Sequence, residues 1–171
     1  FLTAEQKKLN WDSSLVRSSW SVPTAKRGTL LQDKDVVIEK NAGLTLEGAL
    51  NYDFSIKVAD GVSVEKVEML CWTEEAYNKV DVLTKENATI TEVMSYDESD
   101  GKYRYTYKGN PAKMMFSPVY TCAVVTAGGK EYYGGPLAYC PERYGYVNQN
   151  DAKYGAIAKR IVLYGDAARK Y

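Results

Sequence analysis

The sequence predicts a mainly β protein, a β-sandwich flanked by an N-terminal helical segment and a C-terminal amphipathic helix. Three observations carry this. In Ala49 to Val58, Leu50, Tyr52, Phe54, Ile56 and Val58 alternate without a break against Asn51, Asp53, Ser55 and Lys57, the period of a strand with one face on a core and one in water. Further strand-like runs follow, separated by turn signals such as Ala59-Asp60-Gly61 and Gly128-Gly129. Behind Asn150-Asp151, a capping pair, Tyr154, Ile157, Ala158, Ile161, Tyr164, Gly165 and Ala168 recur on one stripe of a helix reaching about Lys170.

Taken from the start, Thr3-Ala4-Glu5-Gln6 has the form of a capping box and predicts a short helix through about Leu9. Asp12-Ser13-Ser14 offers a second cap, with Leu15, Val16 and Trp20 at helical spacing behind it. Trp11 and Trp20 are expected to dock this segment onto the sheet rather than to form a sugar platform. Pro23 and Gly28 punctuate the chain, and strands begin near Leu30. Asp35 to Glu39 is a short apolar run, Leu44 to Glu47 alternates, and Gly48 separates it from the central strand.

After the turn at Ala59-Asp60-Gly61, Val62 to Trp72 predicts a strand with Val67, Met69 and Cys71 on one face and Lys66, Glu68 and Leu70 on the other. This pair of strands reads as a hairpin or a sandwich corner. Thr73 to Asn78 reads as a loop carrying Tyr77, and Val80 to Leu83 and Thr89 to Tyr96 as further strands. Asn87-Ala88-Thr89 matches a glycosylation sequon, a three-residue pattern that also arises by chance. The acidic run Asp97 to Gly101 lacks the length and closing Glu of an EF-hand loop and reads as a solvated hairpin turn.

Lys102 to Lys108 places Tyr103, Tyr105 and Tyr107 on one face, at a half-buried core margin. Gly109-Asn110-Pro111 ends that strand, Ala112 to Phe116 is short, and Val119 to Thr126 is the strongest late strand. Gly128-Gly129 then turns into Lys130 to Tyr133. Gly134 to Val147 is the least regular stretch. In the final helix, Gly165 costs about 1 kcal/mol against Ala, which points to close approach of another element. That helix is expected to cover the open face of the sheet. The expected organisation is therefore a helical segment over 1–29, a sandwich over 30–147 and a helix over 148–171, all one structural unit.

Composition narrows the function. At 171 residues the chain can bury a sizeable core. Lys plus Arg equals Asp plus Glu at 22 each, so no basic excess draws the protein onto nucleic acid or anionic lipid. Its apolar runs are far shorter than a membrane span, so no membrane insertion is expected. Phe1 is not a natural start, and the sequence reads as a piece of a longer protein. The 15 tyrosines suit an extracellular β-domain, each ring packing with its body while its hydroxyl stays wet. The three cysteines, Cys71, Cys122 and Cys140, show no CxxC spacing, and Cys71 and Cys122 sit in apolar strand runs as small hydrophobes would.

Two segments together resemble a repeat module of large surface proteins from Gram-positive gut bacteria. One is Gly43-Leu44-Thr45-Leu46-Glu47-Gly48 running into Leu50 to Val58; the other is the ending Tyr164-Gly165-Asp166-Ala167-Ala168-Arg169-Lys170-Tyr171, similar to a closing Tyr-Gly-x-Ala-Ala-x-x-Tyr helix. Between them, Gly101 to Lys108 and Pro111-Ala112-Lys113-Met114 resemble the Tyr-rich strand and Ala-Lys-Met segment of such modules. Cys140-Pro141 departs from the pattern. The resemblance implies an Ig-like sandwich with an added helix, secreted and cell-wall-associated. It implies binding rather than catalysis, since some such proteins bind host molecules, immunoglobulins among them.

The residues themselves agree on chemistry. Histidine is absent, which removes the commonest general base and metal ligand at neutral pH. No GxSxG elbow or Gly-rich phosphate loop is present. We therefore expect no enzyme activity, no cofactor and no metal. The expected partner is a host protein such as an antibody, or a glycan, beside neighbouring domains of the same chain. A carbohydrate-binding module and a ligand-free spacer in a repeat array remain alternatives. Trp72, Tyr77, Tyr132, Tyr133, Tyr139 and Tyr144 are the candidate ligand-binding residues, because Tyr and Trp supply large contact area at interfaces.

Overall fold

A computed structural model describes residues 11–47 and 49–171. The capping-box helix expected at Thr3 to Leu9 lies outside the described residues. In chain order the strands are β1 (Val37–Leu46), β2 (Leu50–Val58), β3 (Val64–Trp72), β4 (Ile90–Val93), β5 (Ser95–Asp97), β6 (Lys102–Tyr107), β7 (Val119–Ala127), β8 (Lys130–Tyr133) and β9 (Leu137–Tyr139). The helices are α1 (Thr24–Arg27), α2 (Glu74–Lys79), α3 (Pro141–Asn148) and α4 (Gly155–Ala168). The strands form two antiparallel sheets, β1-β2-β6-β5 and β4-β3-β7-β8, with β9 also pairing β7. The fold is a β-sandwich with flanking helices.

The strand at Leu50–Val58 lies inside its sheet, between β1 and β6. Its apolar set faces the other sheet as the alternation requires: Tyr52, Phe54, Ile56 and Val58 join Val67, Met69, Cys71, Val119, Ala123 and Val125 in one core. Tyr105 and Tyr107 stack on Phe54 and Tyr52 at the margin of that core. The alternate residues of β3 and β7 are also buried. Leu70, Trp72, Cys122 and Val124 form a second core on the outer face of their sheet, under Val22, Leu30, Tyr77 and Leu83. The stretch before β1 supplies this cover, tied down by Leu83 N–H to the Lys26 carbonyl (2.9 Å) and Asp33 N–H to the Tyr133 carbonyl (2.8 Å).

Local signals explain the connections. β2 and β3 lie in different sheets, so Ala59 to Gly61 makes a sandwich corner and not a hairpin. Thr89 to Tyr96, expected as one strand, is split between the sheets: β4 pairs β3, β5 pairs β6, and buried Met94 sits at the crossing, its N–H held by the Val67 carbonyl at 2.8 Å. At the β7–β8 hairpin Gly128 and Gly129 have φ of 58° and 69°, the left-handed pair that a two-residue turn between twisted strands demands.

Several expectations need correction. The helix behind Asp12 is one 3-10 turn, Ser13–Leu15, although Asp12 does cap it by accepting from Ser14 N–H. Trp11 and Trp20 are half-buried, and Trp20 lies under the Arg17 guanidinium at 4.4 Å. Thr73 to Asn78 is not a loop, because the Thr73 hydroxyl accepts from Ala76 N–H and starts α2, while Val80 to Leu83 forms no strand. Gly134 to Val147, the stretch least regular in sequence, holds β9 and α3, the helix opening with Pro141 at its first turn, where a missing N–H costs nothing. The last helix begins at Gly155, not at Asn150, and packs against α3 and the 3-10 turn Ala112–Met114 rather than across a sheet face.

Candidate functional site

The sheet-spanning core leaves one end of the sandwich where β1 turns into β2 and α4 passes alongside. There Leu46, Ala49 and Leu50 of the hairpin, Met115, and Arg160, Ile161 and Tyr164 of α4 line an open apolar groove of about 520 Å³. Leu46 is 61% exposed and Tyr164 49%. Arg160 is the single charged residue of the lining.

The orientation of α4 creates this surface. Of the stripe Tyr154, Ile157, Ala158, Ile161, Tyr164, Gly165 and Ala168, expected to face inward, Ala158 and Gly165 are buried while Tyr154, Ile157 and Tyr164 are exposed. The buried face is Gly155, Ala158, Val162, Gly165 and Asp166. Small residues win because two neighbours come close. A Cβ on Gly145 of α3 would stand 2.1 Å from Val162 Cγ2, and one on Gly165 would stand 2.8 Å from the Met115 side chain. The close approach expected at Gly165 is thus real, and it turns the larger apolar side chains of α4 toward solvent.

The six aromatic candidates are not brought together. Trp72 is wholly buried, its indole N–H donating to Asn87 Oδ1 at 2.8 Å. Tyr139 is buried edge-on to Tyr52 and Phe54, and burial pushes its hydroxyl pKa upward. Tyr77 is buried between the Tyr120 ring at 3.6 Å and Lys26 Nζ at 4.0 Å. These three offer no free face for stacking, because the second core covers the outer sheet face where Trp72 and Tyr77 lie and the sandwich encloses Tyr139. Tyr132 and Tyr133 are half-buried and serve opposite cores across β8; Tyr144 of α3 is half-buried against the inter-sheet core. The Tyr133 hydroxyl donates to Glu131 at 2.9 Å, and burial together with that carboxylate pushes its pKa up to about 12.

The groove residues were missed for a readable reason. Leu46 ends an alternating run, and Ile161 and Tyr164 belong to a regular helical stripe, both of which ordinarily mean burial.

The free thiols of Cys71, Cys122 and Cys140 are buried, with pKa values pushed up to about 12 by burial, so they are poor nucleophiles. The most buried carboxylates are spent in ion pairs: Glu68 on Lys66 and Lys85, Glu142 on Arg17, Asp166 on Arg169 and Lys170. Among the described residues no cluster of His, Cys, Asp and Glu could hold a metal ion, and no helix is long and apolar enough to cross a membrane. Comparison with family models, curated proteins and solved structures finds no match.

Proposed function

We propose that this chain is a non-catalytic, cell-surface binding module that recognises a host protein through the groove between the β1–β2 hairpin and α4. The observation that carries the reading is the pairing of exposed Tyr164 and half-buried Ile161 of α4 with exposed Leu46 in one apolar groove with one cation, Arg160. Exposed contiguous apolar surface of this kind marks interaction sites. A lone arginine in an apolar lining complements a protein segment whose apolar side chains are flanked by a carboxylate. The strand order β1-β2-β6-β5 against β4-β3-β7-β8 supports an Ig-like arrangement, since it distributes strands as the immunoglobulin sandwich does. With the surface-protein resemblance, it makes immunoglobulins the first partner to test and the bacterial cell wall the expected location.

The test is a biolayer screen of the folded chain against IgA and IgG Fab and Fc, serum proteins and mucin. Saturable binding that weakens about tenfold or more in Tyr164→Ala and Leu46→Asp supports the reading, the loss expected for an interface anchor. Binding that these changes leave untouched would put the surface elsewhere. Silence across the panel would favour the spacer.

A further inference from the structure

At the opposite end of the sheet from the β1–β2 turn, the mouth of the sandwich opens between the β2–β3 corner and the β5–β6 hairpin. Lys57, Val58, Ala59, Asp60, Gly61, Val62 and Val64 line one side of this cleft, and Tyr96, Asp100, Gly101 and Tyr103 the other. Its volume is about 460 Å³, within the range of small-molecule sites. Three features separate it from the apolar groove. Tyr96, paired with Tyr103 across the β5–β6 ladder, is 56% exposed and offers an aromatic ring tilted 49° to its neighbour. Among the described residues, Asp60 makes no side-chain ion pair with a charged partner. Gly61 and Gly101 have φ of 84° and 68°, and at Gly61 no atom stands within 4 Å of where a Cβ would be.

We propose that this cleft binds a saccharide, a mono- or disaccharide unit of a glycan. A pyranose presents C–H groups on one face and hydroxyls around its rim. It therefore needs an aromatic surface for the first, and for the second a carboxylate to accept from its hydroxyls. Tyr96 and Asp60 supply these in one cleft. The second carboxylate, Asp100, is held by Arg104, so it stands as a fixed acceptor at the rim. A peptide would want apolar anchoring pockets, which this polar lining does not provide. The site is independent of the groove proposed above: either can fail without the other.

The experiment is an amide-NMR titration of the labelled chain with galactose, mannose, N-acetylglucosamine, fucose and lactose, followed by a glycan array. Saturable shifts confined to residues around Gly61, Tyr96 and Gly101 are expected. Affinity should fall tenfold or more in Tyr96→Ala and in Asp60→Asn, while Tyr96→Phe, which keeps the ring, should hold within about threefold. Tyr96 and Asp60 are exposed, and an unchanged amide spectrum of each variant establishes folding. Absence of saturable shifts with every sugar and no array signal would overturn the proposal. So would sugar binding indifferent to Tyr96→Ala and Asp60→Asn.

Discussion

Arg17 and Glu142, 125 residues apart, are locked together: Arg17 Nε and Nη2 reach Glu142 Oε2 at 2.9 and 2.6 Å, and the Arg17 backbone N–H reaches Oε1 at 2.7 Å. Arg17 Nη2 also donates to the Phe116 carbonyl at 2.6 Å. One side chain therefore joins the N-terminal stretch, α3 and the segment leading into β7.

The two partners are unequally buried, Glu142 at 3% side-chain exposure and Arg17 at 46%. Arg17→Ala strands a buried carboxylate with one backbone donor and should cost about 3 kcal/mol. Glu142→Ala leaves a guanidinium that can turn to water and should cost about half of that. Urea unfolding of both variants checks the asymmetry; equal losses would contradict it.

Gly145→Ala tests the helix contact that turns α4. Helix propensity alone would favour alanine by up to about 1 kcal/mol, but its Cβ would fall 2.1 Å from Val162 Cγ2. Overpacking should win, with a net loss of about 1–3 kcal/mol. Adding Val162→Ala should relieve the clash and make the pair strongly non-additive in thermal unfolding.

Asn87 accounts for its place in a sequon-like triplet in another way. Its Oδ1 accepts from the Trp72 indole at 2.8 Å and from Thr84 N–H at 3.0 Å, and its Nδ2 donates to the Val82 carbonyl at 3.0 Å. Asn87→Ala leaves the buried indole N–H unpaired and should cost about 1–3 kcal/mol in chemical denaturation, whereas Thr89→Ala, at an exposed position, should be near neutral.

Stability should fall at both ends of the pH scale. The three thiols are pushed up to about 12 by burial, while an unfolded thiol ionises near 8.5. A folded value raised above the unfolded one contributes stability present below about pH 8.5 and lost as pH rises toward 12. Asp166 runs the other way. Hydrogen bonds from Lys170 and Arg169 hold it below its ordinary value, so its contribution is present above the usual carboxylate range and disappears as pH falls through it. Melting temperature against pH should show both declines, and a thiol reagent at pH 8 should label the folded chain far more slowly than the unfolded one.

What was legible in the sequence was local. The alternation of Leu50 to Val58 requires only a period of two, and Gly128-Gly129 a known turn, so both stand in the structure. The second core was not legible, because it depends on residues before β1 folding back over β3 and β7. That cover is why Trp72 and Tyr77, readable as exposed rings, are interior. The groove was hidden within α4: large and small apolar residues share the predicted stripe, and which of them are buried is decided by the closeness of Gly145 and Met115. Tyr96 drew no notice because one tyrosine in an alternating run carries no signal until its neighbours in space are known.

The double covering of β3 and β7 also sets the order in which the molecule breathes. Their shared ladder, over Val67–Trp72 against Tyr120–Val125, is largely sealed from water on both faces, whereas the short β5 is an edge strand of largely exposed residues. Backbone amides of the sealed ladder should exchange with deuterium only through global unfolding, and those of β5 through cheap local opening. The acidic hairpin would then loosen thousands of times for each excursion of the β3–β7 spine, an ordering that hydrogen-exchange mass spectrometry reads directly.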